Sequence, residues 1–284
     1  MLGRIGIVLE MIKFEHTVFA LPFALISMLV AAKGLPAWSV IGWILAAMVG
    51  ARTAAMGFNR IVDARLDAAN PRTRCRAIPT GQVSIAAASA LVVAAGALLV
   101  AAAYMLNPLA FALSPVALVV VLSYSYSKRF TSLSHLWLGL CLGIAPVGAW
   151  IAVRGRIELA SIVLSAAVML WTAGFDIIYS LQDVEFDRRM GLFSLPARLG
   201  PAQALAVSRV FHAVMIGLLA CFGLKTGLDA AYYVGVALVA AFLVYEQSLV
   251  SPRDLSKVNT AFFTLNGFVS IGLLAFVAVD VFLC

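Results

Sequence analysis

Nine apolar runs, each close to 20 residues long, leave this sequence few ways to fold. The hydrocarbon core of a bilayer is roughly 30 Å thick and takes about 20 residues of helix to cross. A window of that length places candidate spans at 17–33, 37–57, 84–104, 107–125, 134–153, 158–180, 202–223, 228–249 and 258–281. The runs are continuous rather than alternating, which favours helices over barrel strands. Of the 284 residues 63% are hydrophobic and 12% charged, whereas soluble domains average about 25% charged. A disordered chain and a water-soluble globule are both excluded. The expected fold is all-α: a polytopic membrane protein of about nine transmembrane helices, in one domain over 1–284. The first 15 residues mix charge with apolar groups and show no cleavage signature, so they read as an interfacial amphipathic lead-in. Cys75, Cys141, Cys221 and Cys284 lie too far apart in sequence for a thiolate metal centre or redox pair.

The formal net charge of +7 is explained by topology. With the N-terminus inside, cytoplasmic segments carry 14 of the 20 Lys and Arg residues and outer loops carry 4 (Lys33, Arg154, Arg156 and Lys225). That asymmetry is a positive-inside signal. It gives no support to nucleic-acid binding, and the bacterial inner membrane is the expected location.

Two cytoplasmic stretches, 58–82 and 183–198, hold 13 of the 33 charged residues. In the first, Asn59, Asp63 and Asp67 recur every four residues, so a helix leaving the second span would carry them on one face. In the second, Tyr179, Asp183 and Asp187 repeat the spacing 120 positions later at the end of the sixth span. The match suggests two pseudo-repeats, roughly 1–130 and 131–250, plus a ninth helix. Like charges at that spacing repel by a few tenths of a kcal/mol, and a cation among them removes the conflict. Mg²⁺ prefers oxygen ligands and is commonly shared between one or two carboxylates and substrate phosphates. Arg65, Arg72 and Arg76 beside it offer forked donors to phosphate oxygens. Together these features describe a diphosphate site.

Asn59, Asp63 and Asp67 are followed by Arg72-Thr-Arg-Cys-Arg76-Ala-Ile-Pro79-Thr-Gly81, and Tyr179, Asp183 and Asp187 come later. This order resembles the UbiA superfamily of intramembrane aromatic prenyltransferases along the whole chain. The resemblance implies helices around a central cavity opening to lipid, under a cytoplasmic cap, with a Mg²⁺-bound polyprenyl diphosphate. It also implies that Asn59, Asp63, Asp67, Asp183 and Asp187 serve the metal, with Tyr179, Arg72 and Arg76 on the substrate. Tyr124 and Lys128 fit the family's YxxxK element, which binds the diphosphate and eases its departure. The stretch from Lys13 to Pro22 looks like the 4-hydroxybenzoate polyprenyltransferase-like subgroup, with Lys13 where an arginine often stands. The implied acceptor is an aromatic acid: 4-hydroxybenzoate in ubiquinone biosynthesis, or 1,4-dihydroxy-6-naphthoate in futalosine-type menaquinone biosynthesis.

Arg52 stands seven residues before Asn59 and Asp176 seven before Asp183, nearly two helical turns or about 10 Å deeper. Ionisable groups inside spans are costly and usually line a cavity. They are expected to form a second tier, Arg52 facing an anion and Asp176 orienting the acceptor, or else to pair with each other. His135 and His212 read as packing residues, and Gly139xxxGly143 as a close helix contact. Two other classes fit less well. CDP-alcohol phosphotransferases need one unbroken acidic run that is absent here. A transporter predicts carboxylates near the midplane, whereas these sit at the cytoplasmic edge among arginines.

Overall fold

The computed structural model describes residues 2–12 and 17–283, and these are helical apart from turns and one isolated bridge, Ser251–Asp254. Eight helical segments are long and apolar enough to cross a membrane. They are α3 (Trp38–Val62), α5 (Ile85–Leu106), α6 (Pro108–Ser127), α7 (Ser134–Arg154), α8 (Leu159–Ser180), α11 (Pro201–Thr226), α12 (Ala230–Leu249) and a π-helical turn, Thr260–Leu265, running into α13 (Asn266–Leu283). The first expected span is the shorter α2 (Thr17–Ala32), 16 residues long, or about 24 Å at 1.5 Å per residue. Among the described residues, eight of the nine expected spans are helices of full crossing length and the first is a shorter apolar helix. α2 ends, close to the expected boundary, where Lys33 and Gly34 take positive φ of 53° and 141° and the Gly34 N–H donates back to the Leu29 carbonyl at 3.1 Å. Short helices complete the chain: α1 (Leu2–Met11), α4 (Ala64–Ala69), α9 (Val184–Met190) and α10 (Leu195–Leu199).

The chain divides into two compact units, Met1–Thr17 with Trp38–Tyr126, and Val18–Ala37 with Ser127–Cys284. In the first, α3 packs along α5. Gly50 permits that approach, since a Cβ there would lie 2.7 Å from the Ala95 carbonyl oxygen. The buried Arg60 donates from Nε to the Met11 carbonyl at 3.1 Å, fastening α1 to α3. Sequence placed Arg60 among the cytoplasmic charges without a partner.

In the second unit α8 runs between α7 and α11. The expected close contact at Gly139 and Gly143 is present: a Cβ on either would strike the carbonyl of Met169 or Ser165. Small residues let the backbones approach, because lipid supplies no hydrophobic drive to hold helices together. Around α8 lies an aromatic core including Phe23, Trp171, Phe175, Phe222 and Tyr232. The Phe23 and Trp171 rings are 5.0 Å apart, and the Ser27 hydroxyl donates to the Pro146 carbonyl at 2.5 Å, which together bind α2 into this unit. Asp280 on α13 caps α12 by accepting from the N–H groups of Asp229 (3.0 Å) and Tyr232 (2.9 Å), donors a helix start otherwise leaves unpaired. In the loop before α8 the Arg156 guanidinium donates to Glu158 and holds its carboxyl below the usual range.

Candidate active site

The first acidic motif straddles a break. α3 ends at Val62, Asp63 sits at φ −89°, ψ 3°, and α4 begins at Ala64. The backbone ladder nevertheless runs through, with Asp63 N–H donating to the Asn59 carbonyl at 2.9 Å and Asp67 N–H to that of Asp63 at 2.7 Å. The expected alignment of Asn59, Asp63 and Asp67 survives for that reason. The Asn59 amide donates to Asp63 Oδ2 at 3.2 Å and orients that carboxylate. Asp63 and Asp67 are buried, at 2% and 5% exposure.

Asp67 has two distinct oxygens. Oδ1 accepts from Arg76 at 2.7 Å, whereas Oδ2 is buried with no hydrogen-bond donor. A buried carboxylate oxygen without a donor carries a desolvation cost that a hard cation would remove. Arg76 keeps further N–H groups beyond the one given to Asp67. The loop between motif and α5 is built by side chains: Asn70 Oδ1 accepts from Arg72 N–H at 2.9 Å, and the Thr73 hydroxyl donates to the Asp67 carbonyl at 3.1 Å. Arg65 and Arg72 are exposed, Arg52 and Tyr124 half-buried.

The second motif is assembled differently. α8 ends at Ser180, a 3₁₀ turn carries Leu181–Asp183, and α9 follows with Asp187 buried. Tyr179 packs its ring on Phe262 of the π turn at 4.2 Å between centroids. Asp187 is buried within reach of the charges of Asp183 and Lys128. Gly191, at φ 66°, ends α9 and turns the chain back. The returning segment is tied at Leu192 N–H to the Asp187 carbonyl (2.8 Å), Phe193 N–H to the Lys128 carbonyl (2.7 Å) and Arg188 Nε to the Ala197 carbonyl (3.0 Å). Lys128 and the second motif are thus joined through backbone.

His135 is the residue that sequence reasoning missed. Its Nδ1 lies 2.7 Å from Asp176 Oδ2, and its Nε2 accepts from Leu195 N–H at 3.2 Å. The reading of His135 as packing is corrected: it is buried, but as the partner of Asp176. No local signal could have found it, because 41 residues separate the pair. His212 is buried as expected, donating toward the Trp171 carbonyl at 3.3 Å. Glu246, wholly buried in α12 and bonded to Asn266 at 3.0 Å, was also passed over, although a lone acid within a span was visible. Lys13 lies outside the described residues.

Among the described residues no three His, Cys, Asp or Glu side chains group as a closed metal cage. The donor set still suits Mg²⁺, which takes one or two protein carboxylates and completes its shell with phosphate oxygens and water. A separate apolar groove of 730 Å³ lies on α5 and α6, lined by residues such as Val93, Gly96 and Leu118, and contains no motif residue.

Residues 20–270 match the model of the UbiA prenyltransferase family. The chain is 33% identical, over 88% of its length and 81% of the relative's, to a 4-hydroxybenzoate octaprenyltransferase of Xanthomonas campestris pv. campestris. It is 29% identical to the protein of the same name in Aromatoleum aromaticum, covering 87% of this chain and 83% of that one. Among solved structures, the apo form of a UbiA homolog from Aeropyrum pernix K1 superposes with TM-score 0.85 at 39% identity, covering 94% of this chain and 98% of that one. A UbiA homolog from Archaeoglobus fulgidus bound to GPP and Mg²⁺ shares the fold at 20% identity, with TM-score 0.78 over 97% and 99% of the two chains.

Proposed function

The chain belongs to the UbiA prenyltransferase family, and from that premise we propose that it transfers a polyprenyl group from its diphosphate to an aromatic acid, 4-hydroxybenzoate first, in quinone biosynthesis. The buried, donorless Oδ2 of Asp67, beside an Asp63 oriented by Asn59, is the observation that carries the reading. It marks a carboxylate site prepared for a cation. The acceptor assignment is supported by the relatives that are 4-hydroxybenzoate octaprenyltransferases.

Asn59, Asp63, Asp67, Asp183 and Asp187 would hold Mg²⁺ with the diphosphate; the ion supplies charge neutralisation for the departing group. Arg72, Arg76 and Lys128 bind phosphate oxygens, Lys128 as a mobile point charge and the arginines as forks. Tyr124 joins Lys128 at the leaving oxygen, and Tyr179 borders the substrate. The carbon–oxygen bond breaks with its electron pair passing to the diphosphate, the acceptor ring attacks the allylic cation to form the C–C bond, and the ring carbon then loses its proton to the released diphosphate. Asp176 orients the acceptor and Arg52 faces its carboxylate, with Lys13 a further basic contact at the N-terminal side. Exclusion of water from the reaction protects the cation, and a central cavity opening to lipid would receive the prenyl tail. The site and N-terminus face the cytoplasm of a bacterial plasma membrane, in keeping with the inside-facing basic residues.

The test is to incubate membranes containing the protein with Mg²⁺, a prenyl diphosphate and a panel of aromatic acids, reading products by mass spectrometry. Prenylated 4-hydroxybenzoate is the expected product. Product from 1,4-dihydroxy-6-naphthoate alone would move the reading to futalosine-type menaquinone synthesis, and ion flux without transfer would replace it with transport.

A further inference from the structure

Deepening the proposed function, on which this inference rests, we propose that His135 is a positioning residue that sets both the acceptor-side carboxylate and the cytoplasmic cap over the second acidic motif. Its two ring nitrogens face different tasks. Leu195 N–H points at Nε2 from 3.2 Å, so Nε2 must be the unprotonated nitrogen and Nδ1 carries the hydrogen donated to Asp176 Oδ2 at 2.7 Å. One bond selects the tautomer that the other requires.

The Leu195 end of the ring acts on the cap. α10 begins at Leu195, where a helix leaves its first N–H groups unpaired. The preceding Ser194 makes no side-chain cap, and Pro196 has no N–H to offer, so the His135 imidazole satisfies the free donor at this start. That fixes the segment 191–199, which is also bound to the Lys128 carbonyl through Phe193 and to Arg188 through Ala197. The Asp176 end fixes a carboxylate within α8, on the spacing that leads to Asp183 and Asp187. Loss of the ring would release both ends.

Two substitutions separate them. In His135→Asn the amide nitrogen takes the place of Nδ1 and still donates to Asp176, but nothing reaches Leu195. In His135→Gln the amide oxygen takes the place of Nε2 and still accepts from Leu195, but the donor to Asp176 is lost. Orienting partners of this kind typically change function by about 10-fold or more when removed. The expected result is a split: Asn raises KM for prenyl diphosphate about tenfold and leaves acceptor KM within about twofold, and Gln does the reverse. Hydrogen exchange gives a readout independent of catalysis, with residues 191–199 losing protection in the Asn variant and keeping it in the Gln variant. Equal effects of both variants on both substrates and on exchange, or no effect of either, would overturn the proposal. Wild-type protein inactive on every acceptor would instead sink the functional reading, and the exchange experiment would then decide the role of His135 alone.

Discussion

The two acidic motifs share a spacing and differ in how they are made. The first is held by side chains: Asn59 orients Asp63, and Arg76 holds one oxygen of Asp67. The second is held by backbone, with Gly191 turning the chain so that Leu192 and Phe193 bond to the carbonyls of Asp187 and Lys128. The first scaffold can be dismantled at Asn59 or Arg76, whereas in the second the ties at Leu192 and Phe193 have no side chain to remove and the side-chain levers are the bonds of Arg188 and His135 to the returning segment. Equal sequence patterns therefore predict equal placement of carboxylates but unequal sensitivity of what surrounds them.

The largest test of the comparison concerns what the motifs share. Asp63→Ala and Asp183→Ala should each lower product formation by about a thousandfold or more, since each removes charge that balances the metal and the leaving group. EDTA should abolish activity and added Mg²⁺ restore it. Full activity in either variant, measured by transfer of labelled prenyl groups in membranes, would end the metal model.

The next experiment sharpens the difference. Asn59→Ala should cost roughly 10- to 100-fold in kcat/KM, because Asp63 loses its orienting donor. Tyr179→Phe preserves the ring packed on Phe262 and should stay within about threefold. Comparable losses from both would mean that the tyrosine hydroxyl does what the asparagine amide does, and the contrast would collapse. Arg76→Lys sits between them: a point charge replaces a guanidinium that gives one N–H to Asp67 Oδ1 and keeps others for phosphate, and kcat/KM should fall about tenfold. Steady-state kinetics with the diphosphate varied would read it.

The smallest expected effect on chemistry lies away from both motifs. Gly50→Val and Gly139→Val each force a side chain into a facing carbonyl, of Ala95 and Met169 respectively. Each should destabilise its unit by about 1–3 kcal/mol, seen as a lower midpoint of thermal unfolding in detergent. Activity per folded molecule should hardly change.

Much of this architecture was legible in the chain. All nine apolar runs became helices, because a continuous run bounded by polar residues has little alternative in lipid. The carboxylates kept their four-residue rhythm even across the break at Asp63, since the i to i+4 hydrogen bonds persist through it. Gly139 and Gly143 were legible for a similar reason: their spacing puts both on one helix face. Arg60, His135 and Glu246 were not, as each owes its meaning to a partner far away in sequence (Met11, Asp176 and Asn266).

The sequence by itself determined membrane residence, the helical class and the positions of both acidic motifs, all properties of local period and composition. Tertiary structure decided which oxygen of Asp67 lacks a donor, which partner holds Asp176, and that the short α2 belongs to the compact unit that contains α8. Periodicity fixes the face on which a side chain stands, whereas its neighbours depend on how distant segments fold together.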